Sequence, residues 1–62
     1  MSKSSLIKQA LASLQSAGRA RVPWDRPDVA AGVANLVREG WDADVQIRYR
    51  GTRRGWELSL RP

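Results

Sequence analysis

The last twenty residues obey a pairing rule that leaves little freedom in what they can form. Taken in pairs whose numbers sum to 105, residues 43–50 and 55–62 match chemically throughout. Val45 meets Leu60, Ile47 meets Leu58 and Tyr49 meets Trp56 on one face, while Asp44 meets Arg61, Gln46 meets Ser59 and Arg48 meets Glu57 on the other. A period of two is that of a half-buried strand, and opposite charges facing each other across an antiparallel ladder contribute roughly 0.2 to 1 kcal/mol each. Slipping the register by one residue would exchange the two faces, so the register is strongly specified. The pattern predicts a β-hairpin with strands at 43–50 and 55–61, closed by Gly51, Thr52, Arg53 and Arg54, where positive charge is densest.

A two-stranded hairpin is marginal in water unless something covers its apolar face. Two amphipathic segments are available. Leu6, Ile7, Ala10, Leu11, Leu14 and Ala17 recur on one side of a helix expected over residues 5–17, with Ser4 or Ser5 as its cap and Gly18 as its stop. Val29, Val33, Leu36 and Val37 form the stripe of a second helix over 26–39, with Pro27 in the first turn, Asp28 beside the positive end of the dipole and Gly40 as terminator. Gly32 costs roughly 1 kcal/mol relative to Ala inside a helix and is expected to mark the close approach of another backbone. Between the helices, Arg19–Val22 is either a third, edge strand or plain linker. The expected fold class is α+β: two amphipathic helices on one face of an antiparallel hairpin or three-stranded sheet, in the order α-(β)-α-β-β.

Sixty-two residues make one small domain, and a chain of this length buries only about 60% of the surface its unfolded form exposes. Without cysteine or histidine it lacks disulfides, thiolate chemistry, imidazole ligands and the commonest general base near neutral pH. A cytoplasmic protein is the resulting expectation. No run approaches the roughly 20 apolar residues that span a bilayer, and the single cation on the polar face of the first helix argues against a membrane partner.

The remaining acids are badly placed for catalysis. Asp25, Asp28, Asp42 and Asp44 stand at helix starts and at the beginning of the first hairpin strand, where caps and turns use acids. Two carboxylates at 42 and 44 fall short of the six to eight oxygens of a calcium site, and the glycine-rich phosphate cradles are missing. One arrangement, Tyr49 with Arg48 and Glu57, has the residue types of a metal-independent ribonuclease, but alternation sends Tyr49 to the opposite face. The chain is therefore expected to be a non-enzymatic binding protein without cofactor or metal.

Its net charge is +5, with nine Arg and two Lys. Arginine presents a planar fork suited to phosphate and carboxylate and stacks on aromatic faces. Residues 1–24 sum to +4, residues 25–47 to −3 and residues 48–62 to +4. The candidate binding residues are Arg48, Arg50, Arg53 and Arg54 of the hairpin, with a second cluster at Arg19, Arg21 and Arg26. Of the three tryptophans, Trp56 and Trp41 are expected in the core. Core placement is the expectation for Trp24 as well; if one of the three is exposed, it is Trp24, flanked by Arg21 and Arg26, where an indole can anchor a protein interface or stack on a base.

Helix, short strand, helix and basic-tipped hairpin is an order that resembles part of a winged-helix DNA-binding domain. That module places two helices between its first strand and the wing, whereas 27–40 supplies one, so no family is assigned. Two functions fit the residues. The first is a small nucleic-acid-binding accessory or regulatory protein, of the kind phages and mobile elements encode, contacting the phosphates of DNA or RNA with the arginine-rich hairpin. The second is a protein-binding module or inhibitor that docks the hairpin tip or a free strand edge on an acidic surface of a larger protein. A homodimer is compatible with both, through the alanine and glycine surface of the second helix or the open edge of the 43–50 strand.

Overall fold

The computed structural model describes residues 2–61. It runs α1 (Lys3–Ala17), β1 (Arg19–Val22), α2 (Pro27–Gly40), β2 (Asp44–Tyr49) and β3 (Trp56–Arg61). The three strands form one antiparallel sheet in the order β1-β3-β2, giving an α+β fold built around the hairpin. Each pair of the β2–β3 ladder, from Asp44↔Arg61 to Tyr49↔Trp56, sums to 105 as the alternation requires.

The Arg19–Val22 segment is a strand. It pairs with β3 as Arg19↔Ser59, Ala20↔Leu58, Arg21↔Glu57 and Val22↔Trp56, burying Ala20 and Val22 between exposed Arg19 and Arg21. Gly18 makes this possible. Its left-handed backbone, φ 75°, ends α1 with its N–H donating to the Leu14 carbonyl at 2.9 Å, while its own carbonyl accepts from the Leu60 amide at 2.9 Å. One residue thus stops the helix and starts the ladder.

That bond also fixes which backbone groups point where. Hydrogen-bonded and non-bonded pairs alternate along an antiparallel ladder, and the Leu60–Gly18 and Arg50–Gly55 bonds set the phase. The backbone groups of Trp56, Leu58 and Leu60 therefore serve β1, and those of Glu57, Ser59 and Arg61 serve β2. The amides of Arg19 and Arg21 face outward from one sheet edge, and those of Val45, Ile47 and Tyr49 from the other. The Val45 amide is taken by its neighbour's carboxylate, Asp44 Oδ1, at 2.8 Å.

Both helices cover the same face of the sheet. Ala10 and Leu14 of α1 join Val29, Ala30, Val33, Ala34 and Val37 of α2, and Ala20, Val22, Val45 and Leu58 of the sheet, in a single buried cluster. Trp41 and Trp56 pack against its margin. Removing this much apolar surface from water, at roughly 25 cal/mol per Å², is the main term holding the hairpin to the helices.

Several local details differ from the sequence expectation. Helix α1 starts at Lys3, because the Ser2 hydroxyl, not Ser4 or Ser5, accepts the Ser5 amide at 3.2 Å. Gly40 is the last residue of α2, and Trp41 follows it in helical geometry. The positive φ of this turn falls on Asp42, at 51°. Gly32 meets a side chain, not a backbone: a Cβ there would lie 3.4 Å from Ile7 Cδ1. Leu36, part of the apolar stripe in the sequence, is 44% exposed, and Ala17 at the end of α1 is exposed as well.

Candidate nucleic-acid interface

The strand order brings basic residues from distant parts of the sequence onto one surface. Alternation puts Arg19 and Arg21 of β1, Glu57, Ser59 and Arg61 of β3, and Asp44, Gln46 and Arg48 of β2 on the sheet face opposite the helices. Cross-strand rows then read Arg21–Glu57–Arg48 and Arg19–Ser59–Gln46. The sum rule already sets Arg48 beside Glu57; β1 adds Arg21 on the far side of the same carboxylate.

Glu57 also pairs with Arg50, whose Nε lies 3.7 Å from Oε2. At the other end of β2, Asp44 is engaged by Arg38 Nε of α2 at 2.8 Å. That bond, with those from the Val45 amide and the charge of Arg61, holds the Asp44 carboxyl below the usual aspartate range. The two acids of the outer face are thus occupied by neighbouring cations, and the face keeps a positive balance.

A denser cluster forms at the end of the sheet. The hairpin loop, Gly51 to Gly55, folds against the segment that follows β1. A hydrogen bond from the Gly55 amide to the Gly51 carbonyl at 2.7 Å closes the loop, and Arg50 N donates to Gly55 O at 2.8 Å beneath it. Gly55 has φ 68°, and a Cβ on it would overlap the Val22 carbonyl oxygen and lie 3.0 Å from the Trp24 nitrogen. Only glycine permits so close an approach of two backbones. The indole N–H of Trp56 secures the same junction by donating to the Trp24 carbonyl at 3.1 Å.

Between loop and junction lies a hollow of about 360 Å³ whose charged lining residues are Arg21, Arg53 and Arg54, with Trp24 beside them. Trp24, expected in the core with the other two tryptophans, is instead 51% exposed, its backbone held at the junction by the Gly55 contact and the Trp56 indole bond. Among the described residues, the ion pairs of the molecule fall on Lys3, Arg26, Arg38 and Arg50, and none involves Arg21, Arg53 or Arg54. Three cations therefore line the same hollow as Trp24 without an ion pair of their own, although Arg21 has Glu57 as its neighbour across the ladder.

The candidate residues sort accordingly. Arg21, Trp24, Arg53 and Arg54 come together in the hollow, while Arg19 and Arg48 continue the positive surface along the sheet face. Arg50 stands at the base of the loop with its charge opposed by Glu57. Arg26 is turned to other work: its Nε lies 3.4 Å from Asp28 Oδ1 at the start of α2, and Lys3 Nζ reaches the same carboxylate at 3.9 Å. Arg61, absent from the candidate set, shares the outer face through its pairing with Asp44, and the sum rule already contained that position.

A second concavity of about 380 Å³ runs along the free edge of β1, under α1. Leu6, Ala10 and Ser13 of the helix form one wall, and residues of both faces of β1, Ala20 as well as Arg19 and Arg21, reach it. Among the described residues, no cluster of acids has the density of a metal site, and no helix is long and apolar enough to cross a membrane. Tyr49 lies on the helix-side face with its ring 4.8 Å from that of Trp56, away from Arg48 and Glu57. Comparison with protein-family models, with curated proteins and with solved structures finds no match.

Proposed function

We propose that this protein binds nucleic acid in the cytoplasm as a small accessory or regulatory factor, using the hairpin tip and the adjoining sheet face to contact phosphates. The observation that carries the reading is the convergence of Arg21 with Arg53 and Arg54, more than thirty residues apart in the chain, around one acid-free hollow. Guanidinium forks match phosphate geometry, and a cluster of them against a low-dielectric wall concentrates polyanions near the surface. Contacts of this kind are independent of sequence and weaken with salt as counterions are released. The polar face of α2, with Asp28, Asn35, Arg38 and Glu39, offers little to a major groove, so the arm and not a helix is the contacting element.

The test is Arg53→Glu combined with Arg54→Glu, both at exposed loop positions. The double variant is expected to fold as the wild type does and to lose at least tenfold in affinity for DNA or RNA at low salt. Unchanged affinity, or a wild type that binds no nucleic acid at low salt, counts against the reading.

The groove along β1 favours a second function, docking on a protein. Outward-facing amides at Arg19 and Arg21 can extend the sheet to a partner strand, and two arginine side chains beside that edge suit an acidic one. Capture of a host protein from nuclease-treated lysate, lost when Arg19 and Arg21 become Glu, would favour this reading over the first.

A further inference from the structure

We infer that the site takes single-stranded nucleic acid, with an unstacked base seated on the Trp24 indole and its flanking phosphates held by Arg21, Arg53 and Arg54; this rests on the nucleic-acid reading above. The phosphate contacts alone do not distinguish one strand from two. Trp24 does.

A tryptophan half exposed beside the core of so small a chain gives up hydrophobic stabilisation, since burying a large aromatic removes on the order of 150 to 250 Å² from water. The surrounding structure nevertheless fixes it in place. Its carbonyl accepts from Trp56 Nε1 at 3.1 Å, its amide nitrogen lies in the backbone contact made possible by Gly55, and Arg26 N closes the turn by donating to the Pro23 carbonyl at 3.0 Å. Backbone is thus held on three sides while the half-exposed residue lines a hollow of about 360 Å³, at the small end of ligand-sized clefts. A rigid base and an open ring are the requirements of a stacking platform.

In a duplex the faces of the bases are already stacked on each other and only their edges reach a groove. An indole offers an edge nothing that can be read as a pattern of donors and acceptors, since its one N–H is its whole repertoire. A face, by contrast, stacks on it irrespective of base identity, with phosphates following the positive groove on either side. The cations are at the right place for this: Arg21 from β1 and Arg53 and Arg54 from the hairpin loop line the same hollow as Trp24.

The experiment measures anisotropy of labelled oligothymidylate of about 12 nucleotides, within the usual site size for such platforms, and of a blunt duplex of equal length, at low salt. Wild type is expected to prefer the single strand. Trp24→Ala should bind that strand about tenfold or more weakly and the duplex with less than a twofold change, while Trp24→Tyr, which restores a ring face, should recover most of the loss. Circular dichroism matching the wild type shows that the exposed substitution has left the fold intact. Equal losses on both substrates, or no loss on the single strand, overturn the platform while leaving the phosphate reading standing if Arg53→Glu with Arg54→Glu still abolishes binding. Binding of an oligoglutamate peptide in place of either nucleic acid overturns both.

Discussion

The indole nitrogen of Trp56 donates to the backbone carbonyl of Trp24 at 3.1 Å, joining the start of β3 to a loop 32 residues earlier in the chain. This bond matters because the two ends of the basic site belong to different elements, and nothing in the strand pairing alone fixes the loop after β1 against the hairpin tip. Trp56→Phe keeps a ring beside Tyr49 but removes the donor. A neutral hydrogen bond near the surface is worth about 1 kcal/mol, so the variant should lose about that much in urea denaturation. Amide exchange should quicken at Arg26 and Gly55, whose amides are bonded at this junction, more than at Leu58, in the centre of the sheet. Uniform quickening would show that the bond stabilises the whole domain and not the junction.

Gly55 and Gly51 make a sharper contrast. Both have positive φ, at 68° and 98°, so a side chain at either is strained by roughly 1 to 2 kcal/mol. Nothing lies within 4 Å of a Cβ on Gly51, whereas on Gly55 it would overlap the Val22 carbonyl. Gly51→Ala should therefore show the conformational cost alone, and Gly55→Ala should add an overpacking cost of about 1 to 3 kcal/mol or push the tip away from Trp24. Thermal or urea unfolding of the pair checks this, and equal destabilisation would remove the backbone contact as a determinant.

How much of this is legible in the sequence follows from the range of each signal. The β2–β3 register is local and repeats over six pairs, so hydrophobic alternation and charge pairing both expose it. Strand β1 is four residues long, too short for its alternation to be told from linker, and its partner lies far along the chain. The meeting of Arg21 with Arg53 and Arg54 depends on that pairing, so no local pattern fixes it. Gly55 reads in the sequence as a turn glycine, because the backbone it abuts comes from residues 22–24. The place of Arg26 outside the hollow is legible for the opposite reason, since its partner is local. Asp28, whose sequence position suits the helix dipole, also holds the guanidinium two residues before it.

Asp44 joins the end of α2 to the beginning of β2, and its protonation should be readable in stability. The Arg38 guanidinium, the Val45 amide and the charge of Arg61 lower its pKa in the fold, so the unfolded chain binds this proton more readily than the folded one does. Stabilisation from the group is then complete above the ordinary carboxylate range and disappears as pH falls through the depressed folded value. Asp44→Asn keeps an oxygen to accept from Val45 but loses the charge. The gap in denaturation midpoint between wild type and variant should be present at neutral pH and close as pH falls through the depressed folded value. A gap that stays constant with pH would mean that the carboxylate acts through its hydrogen bonds alone.

Salt dependence gives the most direct count of the phosphates the tip engages. For each phosphate neutralised, the logarithm of affinity falls with the logarithm of salt concentration by about 0.7 on a single strand and about 0.9 on a duplex. If Arg53 and Arg54 each hold one phosphate, Arg53→Ala with Arg54→Ala should flatten the single-strand slope by about 1.4, the sum of two such contacts. Trp24→Ala should weaken the same strand without moving its slope, because a stacked base releases no counterion. Affinity and slope therefore separate the two halves of the site: arginines change both, and the indole changes only the first. A Trp24→Ala slope reduced as far as that of the double arginine variant would show that the ring positions the phosphate contacts and does not itself hold a base.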